Sequence, residues 1–305
     1  MITPPPLDEA ILTIVRSAIR EDLGGLPGEA AAIDRTTKIA ILPTAVGKAH
    51  IAARKSGVFC GGFLLPVILK MFGGSLGFRV DIPDGQLVNA GQQIAEIRGP
   101  LANMLSAERT VLNFLSHLSG IASLTHKFVM AVARCRPGSP PLICDTRKTT
   151  PGWRSLEKYA VRCGGAVNHR MGLFDGVMLK DNHIAALRSG ADAARSLAQI
   201  TARIRRELPP EIKLWLEVDN LDQLKEALPG GAADIILLDN MTPAMLTQAV
   251  ALRNELGRGG KPLLEASGGI TLENIADIGR TGVDRISIGA LTHSAPALDL
   301  ALDLS

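Results

Sequence analysis

After residue 140 the chain alternates short apolar runs with longer segments whose apolar residues recur at helical spacing. The apolar runs predict β-strands at residues 142–144, 176–179, 214–216, 235–238, 263–264 and 286–288. The intervening segments predict helices at residues 191–208, 221–228, 243–256 and 271–280. Repeated strand and helix units of this kind are typical of a parallel α/β barrel.

The first 135 residues show a mixed pattern. Residues 8–23 place apolar side chains on one face and predict a helix with Asp8 as its N-cap. A small α+β domain is predicted from β-rich runs at 38–42, 50–53, 78–82 and up to Ile97, with a helical segment at 64–72. Two further helices are predicted at residues 101–118 and 121–135, because Ser119-Gly120 separates them.

Bulk composition narrows the class of protein. A chain of 305 residues with 46% apolar content is long enough for one large core or two domains. The net charge of +3 is too small for a general nucleic-acid binder, and 3% aromatic residues are too few for base-stacking platforms. The four cysteines form no close pair and no zinc-like spacing, and MITPPPLDEA lacks the features of a secretion signal. We therefore expect a cytoplasmic protein with reduced thiols and no nucleic-acid or membrane partner.

Residues 145–183 concentrate the net charge of the chain. This segment holds seven of the 33 lysines and arginines but four of the 30 acidic residues, so the rest of the chain is electrically balanced. A cationic segment interrupted by glycines predicts a site for a small polyanion. The alternative is a solvated helix face, because Arg154, Lys158 and Arg162 fall at helical spacing.

Polar residues close the predicted barrel strands. They are Asp145-Thr146-Arg147-Lys148, Lys180-Asp181, Glu217, Asp239-Asn240, Glu265 with Ser267, and Gly289. The carboxyl ends of the strands in a parallel barrel meet at one mouth, where barrel enzymes place their active sites. These residues are therefore expected to converge.

Two glycine-containing loops suit phosphate binding. Ser267-Gly268-Gly269 precedes a helix expected to open at Thr271, and Gly289 follows the last barrel strand. Glycines let backbone amides approach an anion, and a helix N-terminus favours negative charge. For either loop alone, an ordinary turn glycine is the alternative.

Glu217 and Asp239 each end an apolar strand, where an unpaired carboxylate would be costly to bury. A magnesium ion that bridges a pyrophosphate would satisfy both, because this ion commonly binds one or two carboxylates together with phosphate oxygens. Salt bridges to Lys180 or Lys148 are the alternative, and both arrangements can hold together.

A group of cationic side chains suits a planar dicarboxylate. Its members are Arg147, Lys148, His169, Arg170 and Lys180. Arginine binds a carboxylate through a bidentate fork, whereas lysine acts as a point charge. Cys163 as a nucleophile and His183 as a metal ligand are less favoured, because a lone cysteine or histidine is more often structural.

The runs DTRKTTPG, EKYAVRCGG, NHRMGL and LKDNH resemble the quinolinate phosphoribosyltransferase family. Further similar runs cover nearly everything after about residue 100: AERTVLNFLSHLSGIA (107–122), LEVDN (216–220), ILLDNM (236–241), LLEASGGIT (263–271) and DRISIGALTHSAPALD (284–299). The resemblance implies an α/β fold, with an incomplete parallel barrel of about seven strands and an N-terminal α+β sandwich domain. The expected divisions are 1–116, 117–288 and a C-terminal tail, 289–305, that packs back on the N-terminal domain.

The resemblance also implies an activity. The expected reaction joins quinolinate to phosphoribosyl pyrophosphate, with loss of pyrophosphate and carbon dioxide, to give nicotinate mononucleotide for NAD biosynthesis. Magnesium is the expected cofactor, at Glu217 and Asp239. The expected catalytic residues are Lys148, Lys180, Glu217 and Asp239. The expected substrate-binding residues are Arg109, Thr146, Arg147, Lys148, His169, Arg170, Lys180, Ser267, Gly268, Gly269 and Gly289.

Arg109, in the AERT run, is implied to complete the active site of a neighbouring subunit in a homodimer or larger assembly. The chain departs from the family at Trp215, where a second glutamate is common, and by one extra residue between Glu217 and Asp239. Two alternatives are a transferase of the same fold that acts on another base, such as those associated with molybdenum transport, and a non-catalytic phosphosugar-binding protein.

Overall fold

The computed structural model describes residues 2–73, 75–190, 192–257 and 261–305. They form two compact units. The first unit comprises the chain up to His126, Lys148–Gly165 and Leu291–Ser305, and the second comprises Lys127–Arg147 and Ala166–Ala290. The division of the chain after residues 116 and 288 stays a prediction.

The helices and strands are as follows. The α-helices are α1 (Glu9–Leu23), α2 (Arg35–Ala40), α3 (Leu65–Met71), α4 (Leu101–Cys135), α5 (Arg154–Cys163), α6 (Asp181–Arg188), α7 (Leu197–Glu207), α8 (Leu221–Ala227), α9 (Pro243–Leu256), α10 (Ile275–Arg280) and α11 (Ala290–His293), and a 3₁₀ turn spans Gly62–Leu64. The strands are β1 (Val46–Ala53), β2 (Gly57–Val58), β3 (Gly77–Val80), β4 (Leu87–Val88), β5 (Gln93–Pro100), β6 (Leu142–Cys144), β7 (Gly176–Leu179), β8 (Lys213–Val218), β9 (Ile235–Asp239), β10 (Leu263–Ser267), β11 (Arg285–Ser287) and β12 (Leu300–Leu304). Over the part of the chain that is described, no helix is long and apolar enough to cross a membrane.

Helix α1 begins and ends where its sequence predicts. The Asp8 side chain accepts a hydrogen bond from the Ile11 amide at 3.0 Å, which satisfies a free amide of the first turn. Gly24 ends the helix with a left-handed φ of 77°. Ile11, Val15 and Ile19 form its buried face.

The predicted strand at residues 38–42 is wrong, because its first half lies in helix α2. Asp34 caps this helix by accepting hydrogen bonds from the Thr37 amide at 2.9 Å and the Thr37 hydroxyl at 2.5 Å. Ile39 and Leu42, which suggested a strand, are both exposed. The capping aspartate therefore outweighs the β propensity of a short apolar run.

The first unit contains an antiparallel sheet whose described strands run in the order β12-β1-β5-β3. On β1, His50 lies opposite Asp303 of β12 and Glu96 of β5. Ala49 and Ile51 of the same strand are fully buried. This alternation is typical of a sheet with one covered face. The C-terminal strand is thus an integral part of the sheet.

The two helices predicted at residues 101–118 and 121–135 form one continuous helix, α4. Gly120 lies inside this helix. A larger residue would not fit there, because a Cβ atom would sit 2.2 Å from the Pro296 carbonyl oxygen. The Ser119 hydroxyl accepts from the Cys60 amide at 2.9 Å and donates to the Cys60 carbonyl at 3.1 Å. Ser119-Gly120 therefore marks a close packing contact, which the sequence pattern does not distinguish from a helix break.

Lys158 of helix α5 does not lie on a solvated face. Lys158 is only 1% exposed, and Glu157 has no exposed surface. The Glu157 carboxylate accepts from the Thr150 amide at 3.1 Å and lies 3.1 Å from His117 Nε2. The solvated-face alternative is therefore wrong for Lys158, and part of the positive charge in this segment is structural.

The second unit is built on a parallel sheet with the strand order β6-β11-β10-β9-β8-β7. An isolated parallel bridge between Cys144 and Val167 adds another element beside β6. Helices α7, α8 and α9 alternate with strands β8 to β10 along the chain. The predicted α/β fold with an incomplete parallel barrel is confirmed.

The predicted barrel strands match the structure closely. Strands β6 and β7 have the predicted bounds, and β8 to β10 extend beyond the apolar runs that revealed them. The helix predicted at 191–208 begins later, at Leu197, because Ser196 caps it by accepting from the Gln199 amide at 3.3 Å. Residue 191 itself lies outside the described residues.

Candidate active site

Strand register brings several of the predicted site residues to the same edge of the parallel sheet. Ser267 of β10 lies beside Asp239 of β9. Glu217 of β8 lies beside Leu237, two residues before Asp239. Lys180 directly follows β7, whose last residue lies beside the residue before Glu217. The predicted convergence therefore holds for Lys180, Glu217, Asp239 and Ser267.

Lys180 and Glu217 form an ion pair at this edge. Lys180 Nζ lies 2.5 Å from Glu217 Oε2, with the Lys180 side chain 44% exposed and the Glu217 side chain 11% exposed. The salt bridge that was one alternative for Glu217 is thus present. Asp239 instead accepts a hydrogen bond from the Asn240 side-chain amide at 2.8 Å. A carboxylate and an ammonium group therefore occupy adjacent strand ends, and a second carboxylate lies one strand further along.

The loop after β10 is held against the loop after β9. Asn240 has a positive φ of 52°, and its amide donates to the Ser267 carbonyl at 2.8 Å. Gly268 has a φ of 90°, and a Cβ atom there would lie 2.0 Å from Asn240 Oδ1. Gly269 has a φ of 60°. The positive φ angles favour glycine at both positions, and the Asn240 contact requires it at Gly268.

The helix expected to open at Thr271 begins later, at Ile275 of α10. The Thr271 amide is bonded instead to Asn274 Oδ1 at 2.9 Å, and the Asn274 side chain donates to the Gly269 carbonyl at 2.8 Å. This side-chain bonding keeps the segment in a turn. The expected contribution of a helix N-terminus directly after Gly269 is therefore absent from this loop.

Asp145 fixes the backbone of the His169-Arg170 segment. Its carboxylate is fully buried. Oδ1 accepts from the His169 amide at 2.7 Å, and Oδ2 accepts from the Asn168 side-chain amide at 2.6 Å. The Arg170 amide donates to His169 Nδ1 at 2.8 Å. Since Nδ1 accepts this hydrogen bond, the proton of the neutral imidazole is on Nε2.

Glu265 is a fully buried carboxylate with an arginine and a histidine as neighbours. Arg285 lies beside it in strand register, and Arg285 Nε donates to Glu265 Oε2 at 2.7 Å. Glu265 Oε1 lies 3.3 Å from His169 Nε2. Burial alone would raise the pKa of Glu265, but His169 and Arg285 together hold that pKa at about 2. Glu265 therefore stays ionised at the base of the site.

Arg170 presents positive charge beside a second arginine. Its guanidinium donates to the Gly176 carbonyl at 2.7 Å. Burial and the nearby charge of Arg147 lower the pKa of Arg170, and Asp175 raises it. The positive charges of Arg147 and Arg170 repel one another, and a dianion bound between them would relieve that repulsion.

Trp215 lies flat against the His169 ring. The ring centroids are 4.8 Å apart and the planes are inclined by 29°. The contact was not predicted, although the sequence marked Trp215 as a departure from the resembled family. Arg285 was also missed, and its one signal was a charged residue directly before a predicted barrel strand.

The remaining predicted residues are placed as follows. Thr146 is half-buried, Arg147 is exposed, and half-buried Gly289 precedes α11. Lys148 belongs to the first unit, where its carbonyl accepts from the Thr292 hydroxyl at 2.8 Å. Arg109 also belongs to the first unit, with its side chain 65% exposed on α4.

Cys163 and His183 have structural surroundings. Cys163 is 4% exposed. Burial, together with a contact to Cys163, raises the pKa of the Cys60 thiol well above its usual value. The two cysteines therefore meet in space, which their separation in sequence did not predict. His183 Nδ1 accepts from the Lys180 amide at 3.2 Å at the start of α6. No cluster of three or more histidine, cysteine or acidic residues suited to a metal occurs among the described residues.

Comparison with known proteins gives consistent matches along the chain. The family model of the quinolinate phosphoribosyl transferase C-terminal domain matches residues 121–303, and that of the N-terminal domain matches residues 34–119. A nicotinate-nucleotide pyrophosphorylase [carboxylating] of Mycobacterium leprae is 40% identical over 298 residues, covering 97% of this chain and 98% of the relative. A probable enzyme of the same name from Bacillus subtilis is 40% identical over 258 residues, covering 85% of this chain and 83% of the relative. The solved nicotinate-nucleotide pyrophosphorylase of Francisella tularensis is similar in fold, with a TM-score of 0.85, 32% identity and coverage of 100% and 99% of the two chains.

The depressed pKa of Glu265 predicts a loss of stability in acid. Because its folded pKa of about 2 lies below the usual 4.5, its contribution is complete above about pH 5 and is lost as the pH falls towards 2. Between pH 7 and pH 3 the free energy of unfolding should fall by roughly 2 kcal/mol from this group. Urea unfolding from pH 7 to pH 3 should show a shallower acid slope for Glu265→Gln than for the native chain. An exposed-carboxylate control, Glu255→Gln, should keep the native slope, and an equal slope in all three proteins would contradict this role for Glu265.

Proposed function

The chain belongs to the quinolinate phosphoribosyltransferase family, and we propose that it transfers the phosphoribosyl group of phosphoribosyl pyrophosphate to quinolinate. Pyrophosphate and carbon dioxide leave, and the product is nicotinate mononucleotide, a precursor of NAD. The observation that supports this most is that one sheet edge combines the Lys180–Glu217 ion pair with Asp239 and the Ser267 loop, while Arg147 and Arg170 of the same unit lie close enough for the charge of Arg147 to lower the pKa of Arg170. A polyphosphate donor requires such an edge, and a dicarboxylate acceptor requires such a pair of arginines.

Quinolinate binds through the cationic side chains. Arg170 and Arg147 take the two ring carboxylates, because their mutual repulsion is relieved when a dianion lies between them. Lys148, the next residue along the chain, adds a third positive charge. His169 lies beneath Arg170 and fixes its backbone.

The donor binds at the neighbouring strand ends. Backbone amides of Ser267, Gly268, Gly269 and Gly289, together with Thr146, hold the 5-phosphate, since glycine positions leave the backbone open to an anion. Lys180 stands beside Glu217 at the adjacent strand, where its ammonium group stabilises the pyrophosphate as it leaves.

Magnesium fits this site as a pyrophosphate-bound ion. Glu217 and Asp239 supply two carboxylates from adjacent strands, and both are half-buried. That number suits an ion whose other ligands are phosphate oxygens and water. When bound, the ion neutralises charge that develops on the pyrophosphate.

Catalysis depends on positioning and electrostatics. The arginines hold the ring so that its nitrogen faces the anomeric carbon of the donor, where the new carbon–nitrogen bond forms as the bond to pyrophosphate breaks. The ring nitrogen then carries positive charge. It can accept the electron pair released when the adjacent carboxylate leaves as carbon dioxide, and a proton replaces that carboxylate.

The proposed cellular setting follows from the thiols. No disulfide joins the four cysteines, all of which lie among the described residues, and this suits a reducing cytoplasm.

Turnover tests the proposed function directly. Purified protein with phosphoribosyl pyrophosphate, magnesium and quinolinate should form nicotinate mononucleotide, detected by chromatography, at a rate that chelation of magnesium abolishes. Glu217→Gln and Asp239→Asn should each lower kcat by roughly a hundredfold while the unfolding midpoint changes little. Glu207→Gln, which alters an exposed carboxylate of α7, is the matched control and should retain full activity. Native rates in both site variants at limiting magnesium would contradict the assignment, as would product formation from nicotinate in preference to quinolinate.

The working unit we propose is at least a homodimer in which Arg109 serves the active site of the neighbouring subunit. This proposal is supported by the exposure of the Arg109 side chain on α4. Helix α4 precedes the barrel strands in the chain. A symmetric dimer would use this arginine twice, once in each site.

Hybrid dimers test the placement of Arg109. Arg109→Ala and Lys180→Ala should each be nearly inactive alone. After subunit exchange, a mixed dimer has one site with both defects and one with neither. Random exchange of equal amounts makes half of the dimers mixed, so about a quarter of all sites should be intact and activity should return to about a quarter of the native value. Native mass spectrometry would verify that hybrids form. Hybrids that form without recovering activity would place Arg109 in the site of its own subunit.

A further inference from the structure

Trp215 occupies a point where three parts of the proposed acceptor site meet. Its ring stacks on His169 at 4.8 Å between centroids. A Cβ atom on Gly176 would lie 2.8 Å from Trp215 Cζ3 and 3.6 Å from both Cβ and Cδ of Arg170. The indole, the Gly176 backbone and the Arg170 stem therefore share one small volume.

Polar anchors hold the His169-Arg170 segment on its other sides. Asp145 binds the His169 amide at 2.7 Å, and Glu265 lies 3.3 Å from His169 Nε2. The Arg170 guanidinium donates to the Gly176 carbonyl at 2.7 Å. Against the face of the imidazole, Trp215 supplies an apolar wall.

The position of the indole is set by packing. Trp215 is 4% exposed, and its Nε1 is buried without a hydrogen-bond partner among the described residues. A buried N–H group left in this state costs free energy, so the ring is held there by its contacts with the imidazole and Gly176. A smaller apolar side chain would leave space into which the imidazole could tilt.

We propose that Trp215 is a positioning residue for Arg170, acting through His169 and Gly176 to set the orientation in which the guanidinium receives a carboxylate of the acceptor. This role rests on the proposed function. It makes Trp215 a determinant of affinity for the dicarboxylate, because a bidentate contact is lost when the guanidinium plane turns. The phosphoribosyl donor should depend on it much less, because the indole packs against His169 and Gly176, whereas Glu217 lies two residues further along β8.

Two variants displace the indole in different ways. Trp215→Leu removes the stacked ring, and Gly176→Ala pushes it away through the new Cβ atom. Each should raise the Kd and the KM of quinolinate between roughly tenfold and a hundredfold, the range expected for misplacement of a binding group by about 1 Å. The KM of phosphoribosyl pyrophosphate should change by less than about twofold. Trp215→Phe keeps a ring on the imidazole and should restore most of the affinity.

A double-mutant cycle separates positioning from general damage. If Trp215 acts through Arg170, adding Trp215→Leu to Arg170→Ala should weaken quinolinate binding little further, because coupled residues are not additive. The control is Trp153→Leu, which removes the other tryptophan, stacked on Phe114 at 4.8 Å in the first unit. It should lower the unfolding midpoint without a selective effect on quinolinate.

Calorimetric titration and steady-state kinetics decide the outcome. If the native protein binds and converts quinolinate but Trp215→Leu and Gly176→Ala keep its Kd, or if both substrates are affected equally, the positioning role is refuted while the proposed function stands. Fully additive effects in the cycle also refute it. If the native protein neither binds nor converts quinolinate, the proposed function fails and the positioning role fails with it.

Discussion

A buried carboxylate, Glu265, organises the second unit. An ionised group without exposed surface is expensive unless cations and hydrogen bonds compensate it, and here Arg285 and His169 do so from an adjacent strand and a loop. Removing either Arg285 or His169 would leave the buried charge of Glu265 poorly compensated. Compensation of the Glu265 charge therefore depends both on the register of β10 against β11 and on the position of His169.

The residues around Glu265 connect the interior of the sheet to the proposed site. His169 is held by Glu265 from one side and Asp145 from another, and the residue that follows it, Arg170, carries the cation proposed to meet the acceptor. Two residues beyond Glu265, strand β10 ends at Ser267 beside Asp239. The same strand thus supports the acceptor and the donor sides of the proposed site.

Much of this arrangement could be predicted from the sequence, because hydrophobic periodicity reports on local structure. Strands β6 and β7 have their predicted bounds, and Lys180, Glu217, Asp239 and Ser267 converge as the parallel topology requires. Long-range contacts were not accessible in this way. Gly120 has the same sequence signature whether it breaks a helix or admits Pro296, and nothing near Glu265 in the sequence identifies Arg285 as its partner. The stacking of Trp215 on His169 likewise depends on strands brought together only by the fold.

Calorimetric titration with quinolinate and nicotinate tests whether the cationic side chains of the second unit recognise a planar dicarboxylate. The native protein should bind quinolinate more tightly than nicotinate, and Arg170→Ala should weaken quinolinate binding by roughly 1.5 to 3 kcal/mol, the value of a charge-assisted hydrogen bond. Arg188→Ala, which removes a surface arginine paired with Glu226, should leave both affinities unchanged. Equal affinity for the two acids, or an Arg170→Ala variant that binds quinolinate as the native protein does, would contradict the account.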